Sequence, residues 1–250
     1  MADELGNKFF WRAVFAEFFA TTMFVFLVTS VVDASARYGG LTQVALAIGL
    51  GASVLVQIVG PISGAHFNPA VTIGVFLNRG CSFWKLLFYI PAQFIGGIVG
   101  AAISYGLTPK DVRNFGKLGN LVKLEELSLA QGLFIEVFLT MLLVLTVLAS
   151  TSSDNKRKEV GYANGLAIGV SITVAHLVGI MYTGCGINPA RAFGPAVVFN
   201  FWVKYHWIYW FGPYIGGILS GLLYRFVFGV EDTNPSIQVQ ETNQYVNVAE

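Results

Sequence analysis

The sequence predicts an all-α membrane protein with six transmembrane helices, two re-entrant half-helices and an inverted internal repeat. Three observations carry that prediction. The 250 residues are 55% hydrophobic and only 12% charged, with a mean hydropathy of +0.64, where a soluble domain carries roughly 25% charged residues. Six stretches are long and apolar enough to cross a bilayer. Two shorter ones each follow an Asn-Pro-Ala box, and the two box asparagines, Asn68 and Asn188, lie 120 residues apart.

Taken in order, Met1 to Lys8 is mixed in charge. The apolar run that follows is of spanning length and has no small-residue cleavage site, so it reads as a first membrane helix and not as a cleaved signal. A span takes about 20 mostly apolar residues, which places six of them at about 9–31, 42–60, 85–106, 128–150, 160–180 and 206–228. The pieces at about 69–77 and 189–199 are too short to cross. They are admissible only as half-helices buried in protein or lining a cavity. The 28 glycines suit helices whose backbones approach closely in lipid. The expected organisation is a short segment 1–8, a membrane domain 9–228 and a polar, acidic tail 229–250 of disordered character.

The membrane domain is a duplication, with repeats at about 9–106 and 128–228. "LAIG" recurs at Leu46 and Leu166, and "IGG" at Ile95 and Ile215, each pair 120 apart. Glu17 in "AEFFATT" and Glu136 in "IEVFLTM" are 119 apart. Three spans per repeat is an odd number, so the repeats must face opposite ways in the bilayer. The 15 Lys and Arg divide almost evenly between the two sides. The short loop "DNKRKE" packs three basics together, and the positive-inside rule then puts both termini in the cytoplasm.

Asn is a favoured N-cap and Pro is well tolerated at the first helical position, so a single box needs no more than a capped helix start. Two boxes at the repeat offset, each heading a helix too short to span, imply more. Inverted repeats bring the two N-termini together near the midplane, each with about half a positive charge and an Asn amide donor. That site attracts an oxygen lone pair and repels a cation. Gly64, Gly184 and Gly186 in the runs before the boxes permit the backbone angles that leave carbonyls free to line a pore. Arg191 follows the second box directly, and an Arg at membrane depth costs at least about 2.5–3.5 kcal/mol, which marks it as functional. His176 lies in an otherwise apolar span, where a lone His is ordinarily a satisfied core group.

Several function classes fall away. The net charge of +1 leaves no basic face for nucleic acid. Two cysteines, Cys81 and Cys185, make no disulfide framework, and Cys81 has no partner in sequence. His66, His176 and His206 occupy unrelated sites, and the spans hold no nucleophile–base pair or metal-ligand cluster. No cofactor, metal or enzymatic activity is expected. A coupled transporter also uses inverted repeats, but it needs an ion-binding group at the midplane that Asn, Pro and Ala do not provide. An adhesion role stays open.

The segments "FWRAVFAEFFATTMFVF", "SGAHFNPAVT", "YTGCGINPARAFG" and "HWIYWFGPYIGG" resemble the aquaporins of the major intrinsic protein family, within it the vertebrate water-selective branch. The resemblance runs from Phe10 to about Phe228. It implies a right-handed bundle, a homotetramer in the plasma membrane, and a pore for water in each protomer. The family's pore motifs fall on Asn68, Pro69 and Ala70 and on Asn188, Pro189 and Ala190. Its selectivity filter falls on Ile48, His176, Arg191 and the carbonyl of Cys185, whose thiol also stands where the family binds mercurials. Water channels of the family usually carry Phe at the Ile48 position, so the filter is expected to be wider here, with His176 and Arg191 as its donors. Glu17 and Glu136 match glutamates that support the re-entrant loops through backbone N–H groups. Tyr209 and Trp210 match an aromatic pair of water channels, and Ala192 and Ala196 lack the Asp and basic residue of glycerol facilitators. The implied function is passive, single-file water conduction that excludes protons and ions. The alternative is a broader channel that also passes ammonia, hydrogen peroxide or glycerol.

Overall fold

The computed structural model describes residues 3–151 and 164–229, and among them every regular element is helical. In chain order these are α1 (Asp3–Gly6), α2 (Lys8–Tyr38), α3 (Leu41–Ser63), α4 (Pro69–Leu77), α5 (Phe83–Leu107) and α6 (Lys110–Gly116), followed by a 3₁₀ turn at Lys117–Gly119. The second half holds α7 (Leu129–Thr151), α8 (Asn164–Thr183), α9 (Pro189–Phe199) and α10 (Ile208–Leu223), which a π-helical turn extends through Phe228. The "DNKRKE" loop, residues 160–163 of the fifth expected span and residues 230–250 of the tail lie outside the described residues.

Among the described residues, six helices are long and apolar enough to cross a membrane: α2, α3, α5, α7, α8 and α10 with its π turn. The two half-helices have 9 and 11 residues, about 14 and 16 Å at 1.5 Å per residue, half a bilayer core. Their starts are set by the boxes. Asn68 Oδ1 accepts from Ala70 N at 2.9 Å, Asn188 Oδ1 accepts from Ala190 N at 3.0 Å, and Pro69 and Pro189 occupy the first helical position. One element runs longer than the apolar pattern. Asp33 and Arg37 end the hydrophobic stretch, yet α2 continues to Tyr38, and Asp33 is fully buried.

The repeats interlock. In the first, α2 packs between α3 and α5; in the second, α7 packs between α8 and α10; α3 and α8 join the halves. Each half-helix rests on a long helix of the other repeat, α4 on α10 and α9 on α5. Glycine makes both joints possible. A β-carbon on Gly49 would strike the carbonyl oxygen of Gly169, and one on Gly169 that of Gly49. A β-carbon on Gly97 would lie 2.6 Å from the carbonyl oxygen of Ala190, and one on Gly217 would strike that of Ala70. The two "IGG" landmarks are thus the seats of the two Asn-Pro-Ala boxes. Phe15, Val54 and Phe138 stand outward and are more than half exposed, an apolar exterior suited to lipid and not to water. This is a multi-pass membrane protein.

Candidate pore

Two buried carboxylates hold the chain breaks ahead of the half-helices. Glu17 of α2 accepts from Ser63 Oγ (2.6 Å), His66 N (2.9 Å), Phe67 N (2.6 Å) and Gln93 Nε2 (2.8 Å). Glu136 of α7 accepts from Thr183 Oγ1 (2.6 Å), Gly186 N (2.8 Å) and Ile187 N (2.7 Å). Tyr89 and Tyr209 cap the preceding helices, donating to the carbonyls of Ser63 at 3.0 Å and Thr183 at 2.7 Å. A non-helical backbone at membrane depth survives only when its polar groups are satisfied in this way.

The backbone of these breaks differs from the expectation at one glycine. Gly64 (φ 93°) and Gly184 (φ 80°) are left-handed, but so are Ala65, Phe67, Cys185 and Ile187, and Gly186 is not. Gly186 is required for space: a β-carbon there would lie 2.8 Å from Tyr209 Cδ1 and 3.0 Å from Glu136 Oε2. The left-handed side-chain residues are held by hydrogen bonds instead of by glycine's freedom: Phe67 and Ile187 by the carboxylates, Ala65 and Cys185 by the hydroxyls of Ser63 and Thr183.

The boxes are tied to each other. Asn68 Nδ2 donates to the carbonyl of Ile187 and Asn188 Nδ2 to that of Phe67, both at 2.9 Å. Because each Oδ1 accepts backbone N–H groups, the orientation of both amides is settled by the network. Each amide therefore spends one N–H on the other repeat and keeps a second.

Among the described residues, three cavities are lined in part by these breaks and boxes. A central one of about 20 Å³ is lined by Asn68 and Asn188 opposite apolar residues that include Phe24, Val71, Ile168 and Ile172. A cavity needs roughly 10–15 Å³ to hold one water, so this one admits a single file. On one side a cavity of about 500 Å³ is lined by His66, Arg79, Cys81 and Lys85. On the other, a cavity of about 290 Å³ is lined by Ile48, His176 and Arg191 together with Gly119, Asn120 and Leu121. Cys185 is fully buried, and its side chain faces Gly179 of α8, where an added β-carbon would meet its Sγ at 3.1 Å.

His176 lines the cavity of about 290 Å³ beside Arg191. Its Nδ1 lies 2.9 Å from the carbonyl of Ile172. A carbonyl only accepts, so Nδ1 carries the proton and a neutral ring offers Nε2 as an acceptor. The expectation of two filter donors is corrected: Arg191 donates and His176 accepts. Arg191 Nη1 donates to the carbonyl of Gly119 at 2.8 Å, while Nε has no partner. Trp210 is turned away into an aromatic cluster, stacked on Phe94 at 5.1 Å and edge-on to Phe193 at 5.4 Å. Ala192 and Ala196 are buried.

His66, Gln93 and the loop at Gly119–Leu121 were not singled out by sequence reasoning as site residues. Thr72 Oγ1 donates to the carbonyl of Asn68 and accepts from Gln93 Nε2, so His66 Nδ1, 3.2 Å away, donates to it. His66 then offers Nε2 to the cavities it lines. Its position two residues before Asn68 was the available signal. Burial pushes the Cys81 thiol up to about 11, which leaves it un-ionised at neutral pH.

The Major intrinsic protein family matches residues 4–224. Aquaporin-1 of Homo sapiens is 45% identical over 249 residues, covering 96% of this chain and 90% of the relative. Aquaporin-5 of Homo sapiens is 40% identical over 228 residues, with 91% and 84% covered. Aquaporin-4 of Mus musculus is 44% identical over 227 residues, with 88% and 68% covered. The X-ray structure of the aquaglyceroporin from Plasmodium falciparum superposes with a TM-score of 0.81, covering 87% of this chain and 96% of that one; at 24% identity the likeness concerns the fold. With matching spans, paired half-helices and relatives over nearly its full length, the chain belongs to the aquaporins, the Major intrinsic protein family of membrane channels.

Proposed function

We propose that this channel conducts water passively in single file and excludes protons, ions and glycerol. The observation that carries the reading is the central cavity of about 20 Å³ between Asn68 and Asn188. A water there accepts from the free N–H of each amide. With both lone pairs engaged, its hydrogens point outward to its two neighbours, and the chain of like-oriented donors that a proton would follow is interrupted. The N-termini of α4 and α9 add about half a positive charge each, which opposes cations at the same point. Farther along, a water donates to His176 Nε2 and accepts from Arg191, while the Cys185 carbonyl supplies a further acceptor.

We place the unit in the plasma membrane as a homotetramer with both termini cytoplasmic, on the basis of the family and of the "DNKRKE" charge cluster. Stopped-flow light scattering on proteoliposomes tests the channel reading: water permeability rises well above that of protein-free vesicles, and glycerol permeability does not. Equal gains for water and glycerol would overturn it. The second reading, a broader solute range, rests on Ile48, whose short side chain lines the Arg191 cavity. Ammonia and hydrogen peroxide fluxes in the same vesicles decide between the two.

A further inference from the structure

Lys117, Leu118 and Gly119 are three consecutive left-handed residues, at φ 53°, 54° and 63°. Two of them carry side chains, and such backbone persists only where its surroundings over-determine it. Leu118 is fully buried. Asn120 Nδ2 donates to the carbonyls of Lys117 (2.8 Å) and Pro195 (3.2 Å). Gly119 is pressed onto α2 so closely that a β-carbon would lie 3.2 Å from Thr29 Cα. The fourth tie is Asp33, fully buried on α2, whose Oδ1 accepts from Gly119 N at 3.2 Å. The product of this turn is the Gly119 carbonyl, held 2.8 Å from Arg191 Nη1.

Asp33 is a costly way to fasten a loop. Its Oδ2 is buried without a partner, and a buried polar atom left unpaired is unfavourable. A carboxylate kept fully buried with one oxygen unpaired breaks a local rule, and local rules are broken chiefly where function requires it. Both backbone polar groups of one residue are engaged here: the N–H of Gly119 by Asp33 and its C=O by Arg191. The guanidinium of Arg191 therefore stands where Asp33 lets Gly119 stand.

We propose that Asp33 is a positioning residue for Arg191, acting through the backbone of Gly119, and that it thereby sets the solute cut-off of the cavity lined by Ile48, His176 and Arg191. The inference rests on the reading that Arg191 forms the filter, so the test includes Arg191 itself. Urea and water permeabilities are measured at matched channel number in proteoliposomes carrying wild type, Asp33→Ala, Asp33→Asn, Arg191→Val and the Asp33→Ala/Arg191→Val pair. Arg191→Val and Asp33→Ala each raise the urea-to-water ratio, Asp33→Ala on the order of tenfold, which corresponds to about 1.4 kcal/mol. Asp33→Asn stays near wild type, because its amide oxygen accepts the same N–H. The double variant leaks no more than Arg191→Val alone, since both changes act on one interaction. A leaky Arg191→Val beside a tight Asp33→Ala overturns the role of Asp33 and spares the filter. A tight Arg191→Val overturns the filter reading and the inference with it. Additive leaks in the double variant overturn the coupling. Should Asp33→Ala fail to reach the membrane, Gly119→Ala pushes the same residue off α2 through its contact with Thr29 and Val32. A leak there supports the inference, and unchanged exclusion overturns it.

Discussion

Arg191 and His176 face one cavity with opposite hydrogen-bonding capacity, a guanidinium that only donates and a ring whose free nitrogen accepts. A solute must satisfy both to pass cheaply, and a site that hydrogen-bonds discriminates far more strongly than one that measures size. On the proposed filter role, replacing both by small residues (His176→Ala with Arg191→Val) removes a constriction without adding driving force. Urea and glycerol should then cross while water flow persists; retained exclusion in stopped-flow would contradict this placement. Ile48→Phe tests the opposite wall. If Ile48 leaves usable space, the ring lowers ammonia or hydrogen peroxide flux and spares water, whereas identical permeabilities would show that the space is already filled. Of the two thiols, Cys185 stands on the break ahead of the second box, where the family resemblance places the mercurial-binding thiol, whereas Cys81 lines the wide cavity of about 500 Å³. Mercurial block should therefore be lost in Cys185→Ser and kept in Cys81→Ser. Loss of block with Cys81→Ser would reverse the assignment.

At the level of elements, each re-entrant break depends on a carboxylate that only accepts. In Glu136→Gln the amide nitrogen is brought against the N–H of Ile187 or of Gly186, a donor facing a donor. An unsatisfied buried donor costs about 1–3 kcal/mol, so Glu136→Gln should lower the unfolding temperature in detergent. Glu17→Gln should do the same, because Glu17 serves Phe67 N and Gln93 Nε2 through one oxygen. An unchanged transition in both would show that the breaks are held by something else. These elements were legible to different degrees. The six spans were readable because length and apolarity decide them, and the half-helices because Asn-Pro recurs ahead of runs too short to cross. The reciprocal bonds from Asn68 to Ile187 and from Asn188 to Phe67 join residues about half the chain apart, and no local pattern encodes them. The 3₁₀ turn at Lys117–Gly119 follows a polar stretch with no periodicity, and the burial of Asp33 appears only once that turn folds over α2. The tautomer of His176 likewise depends on a carbonyl one helical turn away, which exists only in the folded chain.

For the whole molecule, the inverted repeat does one thing that a single repeat does not: it opposes two helix N-termini and two amides across a space for one water. Gly49 against Gly169 sets how closely the halves meet, and Gly97 and Gly217 seat each half-helix on the other repeat. A bulky side chain at Gly49 should spread the halves and reduce assembled protein in the membrane, read as yield of monodisperse protein after extraction. Normal yield from Gly49→Leu would show that the close approach is dispensable. In the proposed function the paired asparagines carry water while interrupting the path of a proton. This role is tested most directly by recording osmotic water flux and proton flux in the same proteoliposomes, the latter from an entrapped pH dye under an imposed gradient. Water permeability well above protein-free vesicles is expected, with proton flux at the protein-free level. Water flux at the protein-free level, or proton flux that rises in step with water flux, would show that the paired asparagines do not act in this way.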